Sequence, residues 1–307
     1  MWTNLLGDVI MNLPIFRSWI ISGLVLMFSI WAPQSIAQTA PAPFPQNLVQ
    51  CNLENDLQRR LYYEYGAVYL SEHAKLPRSC RFLNETEIAE FTNQFKNPGN
   101  KFSFGEYYLQ HDAYVSLTRV IQKLDNKFER VARNSNGSTT VTSGINDDWA
   151  VRTYAQTQVN WLRLLIDRGF SKNNGILTIS IDKLIGENSG VTGKPLMFSA
   201  AIPGGSQHHL GLAIDVNDPG GNATEDNKCR KECEDALREN HWYRTVRYDA
   251  YHFTYLGIPA DELESKGLKR VICANVLYWV PNSPSDYKGY PGWNCRKPRP
   301  NELNELY

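Results

Sequence analysis

The sequence predicts an α+β fold in which N-terminal helices pack on a small, mainly antiparallel sheet. Three observations support this. Long stretches with helical periodicity come first along the chain. Short β-prone runs cluster later instead of alternating one-for-one with helices. Two of those runs, "WYRTVRY" and "YHFTYLG", lie only a few residues apart and could pair as a hairpin. The 307 residues, 42% of them hydrophobic, are enough for one large domain or two small ones with a real core.

In chain order, Ser18 to Ala32 is apolar and uncharged, Arg17 precedes it, and Ser35 to Ala37 offers small residues for cleavage. Residues 1–37 are therefore expected to be a signal peptide and the protein to be exported, with Met11 as an alternative start. The competing expectation is an uncleaved anchor, because Ser18 to Ala37 is about long enough to span a bilayer. Pro33 and the small-residue site favour cleavage, which would leave no stable membrane span.

Residues 38–105 are expected to form a Pro/Ala linker followed by a helical segment with no assigned chemistry. From Leu109, apolar residues recur at helical spacing through Ala113, Leu117, Val120, Ile121, Leu124, Phe128 and Val131. "NSNG" stops that helix, and "STTVTSG" follows as a short strand. A second helix is expected from about Asp148 to Asp167, with Gly169 as its C-cap. "ILTISI" and "GLAIDV" look like buried strands, and "KECEDALREN" like a short helix. Residues 106–260 thus form the expected main domain and 261–307 a C-terminal extension. Its aromatic stretch from Tyr278 to Trp293 is expected to pack on the domain rather than bind glycan.

The 32 basic and 32 acidic side chains balance, which argues against a broad nucleic-acid-binding surface. Six cysteines in an exported chain point to disulfides, for which 15 complete pairings exist. The local pairing Cys51–Cys80 and Cys273–Cys295 is preferred and would staple the C-terminal extension. Cys229 and Cys233 are left over, either as a third pair or as thiols. Without a second close pair they make a weak zinc-finger signal. Three sequons, at Asn84, Asn136 and Asn222, matter only in a glycosylating pathway.

The chemistry concentrates in "GGSQHHLGLAIDVND", where His208 and Asp215 bracket a turn and the start of a strand. Of the four histidines elsewhere, His252 stands on a β-prone run three residues after Asp249. Ser206, His208, Gly211, Ala213 and Asp215 match the pattern Ser-x-His-x-x-Gly-x-Ala-x-Asp. Asp249, Tyr251, His252 and Phe253 match acid-x-aromatic-His-Phe. In these two motifs, and over roughly residues 109–258, the chain resembles the D-alanyl-D-alanine carboxypeptidases and dipeptidases. These zinc metallopeptidases have hedgehog- and lysostaphin-like relatives.

The resemblance implies one Zn²⁺ held by His208, Asp215 and His252, carried by the sheet, with water in the fourth position. His209 would point away if the segment is extended. Asp249 would be the catalytic base and Ser206 a substrate contact or a turn cap. The substrate would be a peptidoglycan stem peptide, trimmed of a terminal D-alanine. Two departures from the family pattern keep the exact activity open. The base is Asp249 where most carboxypeptidase members have Glu, as in the L-alanyl-D-glutamate endopeptidase branch, so an internal cut is also compatible. The arginine of the "SG-x-R" motif is replaced by Asn146, with Arg152 as a substitute substrate contact. The same residues are compatible with a non-catalytic hedgehog-like metal-binding module and with a zinc hydrolase acting on an unrelated protein.

Overall fold

Why the chain turns where it does is visible in a computed structural model. It describes residues 40–97, 108–124, 131–133, 139–141, 144–145, 153–167, 201–217, 227–285 and 295–302. The expected signal peptide, "ILTISI", Gly169, Asn146 and Arg152 lie outside the described residues. Among those described, no helix is long and apolar enough to cross a membrane.

Helix α1 (Asp56–Tyr65) starts where the Asn55 side chain accepts the Gln58 N–H, at 3.1 Å. Asp56 in its first turn complements the helix dipole. It runs into a 3₁₀ turn (Gly66–Leu70), and Leu57, Leu61, Tyr62 and Tyr65 are buried. Helix α2 (Glu85–Asn93) is capped in the same way by Asn84, whose side chain accepts the Glu87 N–H. The predicted Cys51–Cys80 disulfide ties the start of this region to its middle.

Helix α3 (His111–Lys123) buries Ala113, Leu117, Val120 and Ile121, as its periodicity requires. It is shorter than expected. Val131 belongs instead to strand β1 (Val131–Arg133), paired antiparallel with β2 (Thr139–Val141) in the register Val131↔Val141. Helix α4 (Tyr154–Asp167) starts six residues later than expected because Thr153 and Gln156 form a reciprocal cap. Thr153 Oγ1 accepts the Gln156 N–H at 3.1 Å, and Gln156 Oε1 accepts the Thr153 N–H at 2.8 Å.

The central sheet has four strands in the order β3-β4-β6-β5, all neighbours antiparallel. Strand β3 is Gly144–Ile145, β4 Ala213–Asn217, β5 Trp242–Tyr243 and β6 His252–Tyr255. Helix α5 (Asn227–Glu239) precedes β5. The "WYRTVRY" and "YHFTYLG" runs do pair, but only Trp242 and Tyr243 of the first remain in the ladder. Beyond them the Arg244 carbonyl accepts from Trp279 N–H at 2.8 Å, and Tyr248 takes a left-handed φ of 62°. Those two features turn the chain away from the sheet.

Strands β7 (Leu268–Cys273) and β8 (Val276–Pro281) form a hairpin. Its two-residue turn, Ala274–Asn275, has φ of 48° and 65°, which matches the twist of the flanking strands. The predicted Cys273–Cys295 disulfide tethers the following segment to it. Tyr278 and Trp279 are buried, so this part of the aromatic stretch packs inward.

One apolar core joins Phe44 and Tyr62 of the N-terminal part, Leu117 of α3, Ile214 and Phe253 of the sheet, and Trp279 of β8. Buried polar groups pin its parts together. Trp242 Nε1–H donates to Ser116 Oγ at 3.0 Å, and that hydroxyl donates to the Asn240 carbonyl at 2.5 Å. This fastens α3 to the start of β5.

Candidate metal centre

Two glycines and a serine shape the chain ahead of β4. Gly204 has φ 79° and lies so close to Phe82 that a Cβ there would meet the Phe82 carbonyl oxygen at 1.9 Å. The Phe82 N–H donates to the Gly204 carbonyl at 2.9 Å, so this glycine is a docking point as well as a turn. Ser206 Oγ then accepts the His208 N–H at 3.3 Å and opens a 3₁₀ turn, Gln207–Leu210. Gly211 closes the turn in the left-handed conformation, φ 63°. The segment is therefore not extended, because its cap and its glycine wind it instead. Gln110, the residue just before α3, braces it by donating from Nε2 to the Leu210 carbonyl at 2.8 Å.

Winding separates the adjacent histidines. His208 turns to the sheet and meets the His252 ring edge to face, with centroids 4.8 Å apart. His209 packs edgewise against Phe82, with centroids 6.0 Å apart. Both are buried, and only the first reaches the acid.

That acid is Asp215 on β4, directly opposite His252 on β6 in the antiparallel register. Residues opposite each other in such a pair point to the same face. Asp215 Oδ1 lies 3.3 Å from His208 Nε2 and 3.0 Å from His252 Nδ1. The ligand atoms of all three residues lie within 4.8 Å of one another, and all three residues are buried. Burial alone would raise the Asp215 pKa. The His208 and His252 imidazoles outweigh it and hold the carboxyl well below the usual carboxylate range.

The donor set suits zinc. Zinc–ligand bonds of about 2.0–2.1 Å in a tetrahedron place neighbouring donor atoms about 3.3 Å apart, close to the spacings around Asp215 Oδ1. Among the described residues no fourth His, Cys or carboxylate joins the group. These residues could hold a metal.

The remaining predicted site residues are placed differently. Ser206 is buried and caps the turn. Asp249 stands in the turn before β6, where its carbonyl accepts the His252 N–H at 3.3 Å. It is not one of the three clustered donors. Tyr251, between them, is half exposed at 51%. Buried Cys233 is not part of the cluster.

Two residues that the sequence did not single out also support the cluster, Gln207 directly and Thr254 through Gln207. Gln207 Oε1 lies 2.8 Å from His252 Nε2, and Thr254 Oγ1–H donates to the same oxygen at 2.6 Å. Thr254 could have been found, since it stands two residues after His252 and so shares its face of the strand. Gln207 carried no periodic signal, because its partners lie 38 to 142 residues away in the chain.

No protein-family profile matches the chain, and no curated protein matches it in sequence. Among solved structures it is similar to the LdcB LD-carboxypeptidase, whose structure is described as revealing the molecular basis of peptidoglycan recognition. The two are 16% identical over 49% of this chain and 60% of that one, with a TM-score of 0.30. The chain thus spans less than two thirds of that protein, and a score of 0.30 does not establish a shared fold.

Proposed function

We propose that this chain is an exported, zinc-dependent peptidase that hydrolyses peptidoglycan stem peptides. The observation that carries the reading is the trio His208, Asp215 and His252, buried with their donor atoms within 4.8 Å of one another. The two sequence motifs that supply the trio point to the substrate class.

The three residues would hold the metal through His208 Nε2, Asp215 Oδ1 and His252 Nδ1, the atoms that face one another. Bound zinc supplies a Lewis acid for the peptide carbonyl and lowers the pKa of a bound water to about 7. Asp249 takes the proton from water at its carboxylate as oxygen adds to the carbonyl carbon. It returns that proton to the amine nitrogen as the C–N bond breaks. Arg152 is proposed to bind the substrate carbonyl or carboxylate.

The preferred reaction is release of a terminal D-alanine. Asp249, in place of the Glu of most carboxypeptidases, favours an internal cut in the stem as the second reading. Digesting purified peptidoglycan fragments with the zinc-loaded full chain, followed by mass spectrometry, separates the two. Zinc bound at one per chain with every stem peptide intact would make the chain a metal-binding module. A chain that takes up no zinc would remove the basis of the proposal.

A further inference from the structure

His252 can meet a metal with one ring nitrogen only if something settles which edge of the imidazole faces the cluster. A histidine ligand is ordinarily held by a partner on its other nitrogen, and loss of that partner typically weakens metal binding about 10–100-fold. Here Nδ1 faces Asp215 at 3.0 Å and Nε2 faces Gln207 Oε1 at 2.8 Å. We infer that Gln207 is a positioning residue that fixes the orientation of His252 and so keeps its Nδ1 turned to the metal. The inference rests on the metal-site reading above.

The far end of the Gln207 amide sets which way the group faces. It lies 2.6 Å from the Tyr65 carbonyl oxygen, which can only accept. The NH₂ group must therefore face Tyr65, which leaves the acceptor-only Oε1 facing His252. Tyr65 is the last residue of α1, so the amide ties the end of that helix to the turn that carries Gln207. Opposite an acceptor, His252 Nε2 must carry its hydrogen. The Nδ1 edge then meets Asp215 and His208.

Two threonines lock the arrangement. Thr254 Oγ1–H donates to Gln207 Oε1 at 2.6 Å, Thr245 Oγ1 lies 3.2 Å from the same oxygen, and the two hydroxyls are 2.7 Å apart. Gln207, Thr245, Thr254 and His252 are all at least 95% buried, so water does not compete for these bonds. The network also gives the N-terminal segment a purpose, since the end of α1 anchors the residue that orients a ligand 187 positions later (252 minus 65).

The test uses the full chain stripped of metal and titrated with zinc against a chromophoric chelator. Nitrogen-15 NMR follows the Nε2–H of His252, assigned by its disappearance in His252→Ala. Gln207→Leu is expected to weaken zinc binding about 10–100-fold and to strip that Nε2–H of its protection from solvent exchange. Gln207→Glu keeps an acceptor for Nε2–H but turns an oxygen on the Tyr65 carbonyl. It is expected to lower the melting temperature while zinc affinity and the protected Nε2–H stay close to wild type. Wild-type affinity in Gln207→Leu overturns the inference, and so does an equal loss in Gln207→Glu. If the wild type takes up no zinc, the metal-site reading fails separately. The Nε2–H signal of the metal-free chain then decides the Gln207 assignment, with protection in wild type but not in Gln207→Leu supporting it. Equal signals in the two proteins overturn it.

Discussion

Beside strands β4 and β6, two regions of the molecule collect histidines and acids. In one, His208, Asp215 and His252 are buried and their donor atoms converge. In the other, Glu72, His73, His111 and Asp112 line an open cavity of about 480 Å³ that also touches Leu212 and Tyr255. The residue types are nearly the same, and the supports differ. His208 is held by a capped turn, while Asp215 and His252 stand opposite each other in a ladder. His73 sits on a left-handed residue, φ 59°, His111 is the first residue of α3, and both are exposed. Gathering exposed side chains around an ion costs rotamer entropy that a preorganised cluster has already lost on folding. Composition therefore does not make a metal site, whereas fixed and converging donors do.

The largest expected effect separates the two regions outright. His208→Ala or His252→Ala should abolish stoichiometric zinc measured by elemental analysis of the purified chain. The His73→Ala/His111→Ala double variant should keep one zinc per chain. Zinc retained by both single variants and lost by the double variant would place the metal in the open cavity.

Next in size is Asp249→Asn, which keeps the shape of the side chain but cannot accept a proton. Turnover should fall by about 10²–10⁴-fold with zinc content unchanged. A matching loss of zinc would make Asp249 a ligand rather than a base. Asp249→Glu sharpens this, since a site built around the shorter acid should slow, whereas one derived from a Glu site should speed up.

A smaller effect tests the support of the buried cluster. Gly204→Ala places a methyl on the Phe82 carbonyl in a backbone conformation that disfavours side chains. A stability loss on the order of 3 kcal/mol is expected by denaturant unfolding. An unchanged midpoint would show that the turn does not depend on this contact. Smaller again is His209→Ala, which removes a ring packed on Phe82. Zinc should stay at one per chain, with a cost of roughly 1–2 kcal/mol. Loss of zinc there would reverse the assignment of the adjacent histidines.

Acidity offers one more contrast. The folded state lowers the Asp215 pKa, so its contribution to stability is present above the unfolded carboxylate pKa. It is lost as pH falls through the lower folded value. The metal-free chain should therefore lose stability on acidification below the ordinary carboxylate range, and Asp215→Asn should flatten that fall. An identical acid profile in the variant would mean that other groups dominate.

Much of the candidate site was legible in the sequence because its signals are local. Ser206, His208, Gly211 and Asp215 fall within ten residues, and the turn that relates them is set by a capping hydroxyl and a left-handed glycine. The disulfides Cys51–Cys80 and Cys273–Cys295 were legible for a similar reason, since each closes a short loop. Helix ends were less so. The apolar periodicity of α3 continues past Lys123, but a competing strand pairing claims Val131, and that competitor is not adjacent in sequence.

By itself, then, the sequence determined the types of element and the spacing that brackets His208 and Asp215 around a turn, because these depend on propensities within a few residues. The three candidate donors came from the resemblance of its two motifs to the zinc metallopeptidases. Only the tertiary structure decided that Asp215 stands opposite His252, 37 residues away, and that His208 rather than His209 faces them. It alone brought Gln207 between His252 and the carbonyl of Tyr65, 142 residues upstream. Such contacts are set by strand register and by the need of each buried polar group for a partner. Both are satisfied through space by whichever residues the fold brings together, so no local pattern announces them.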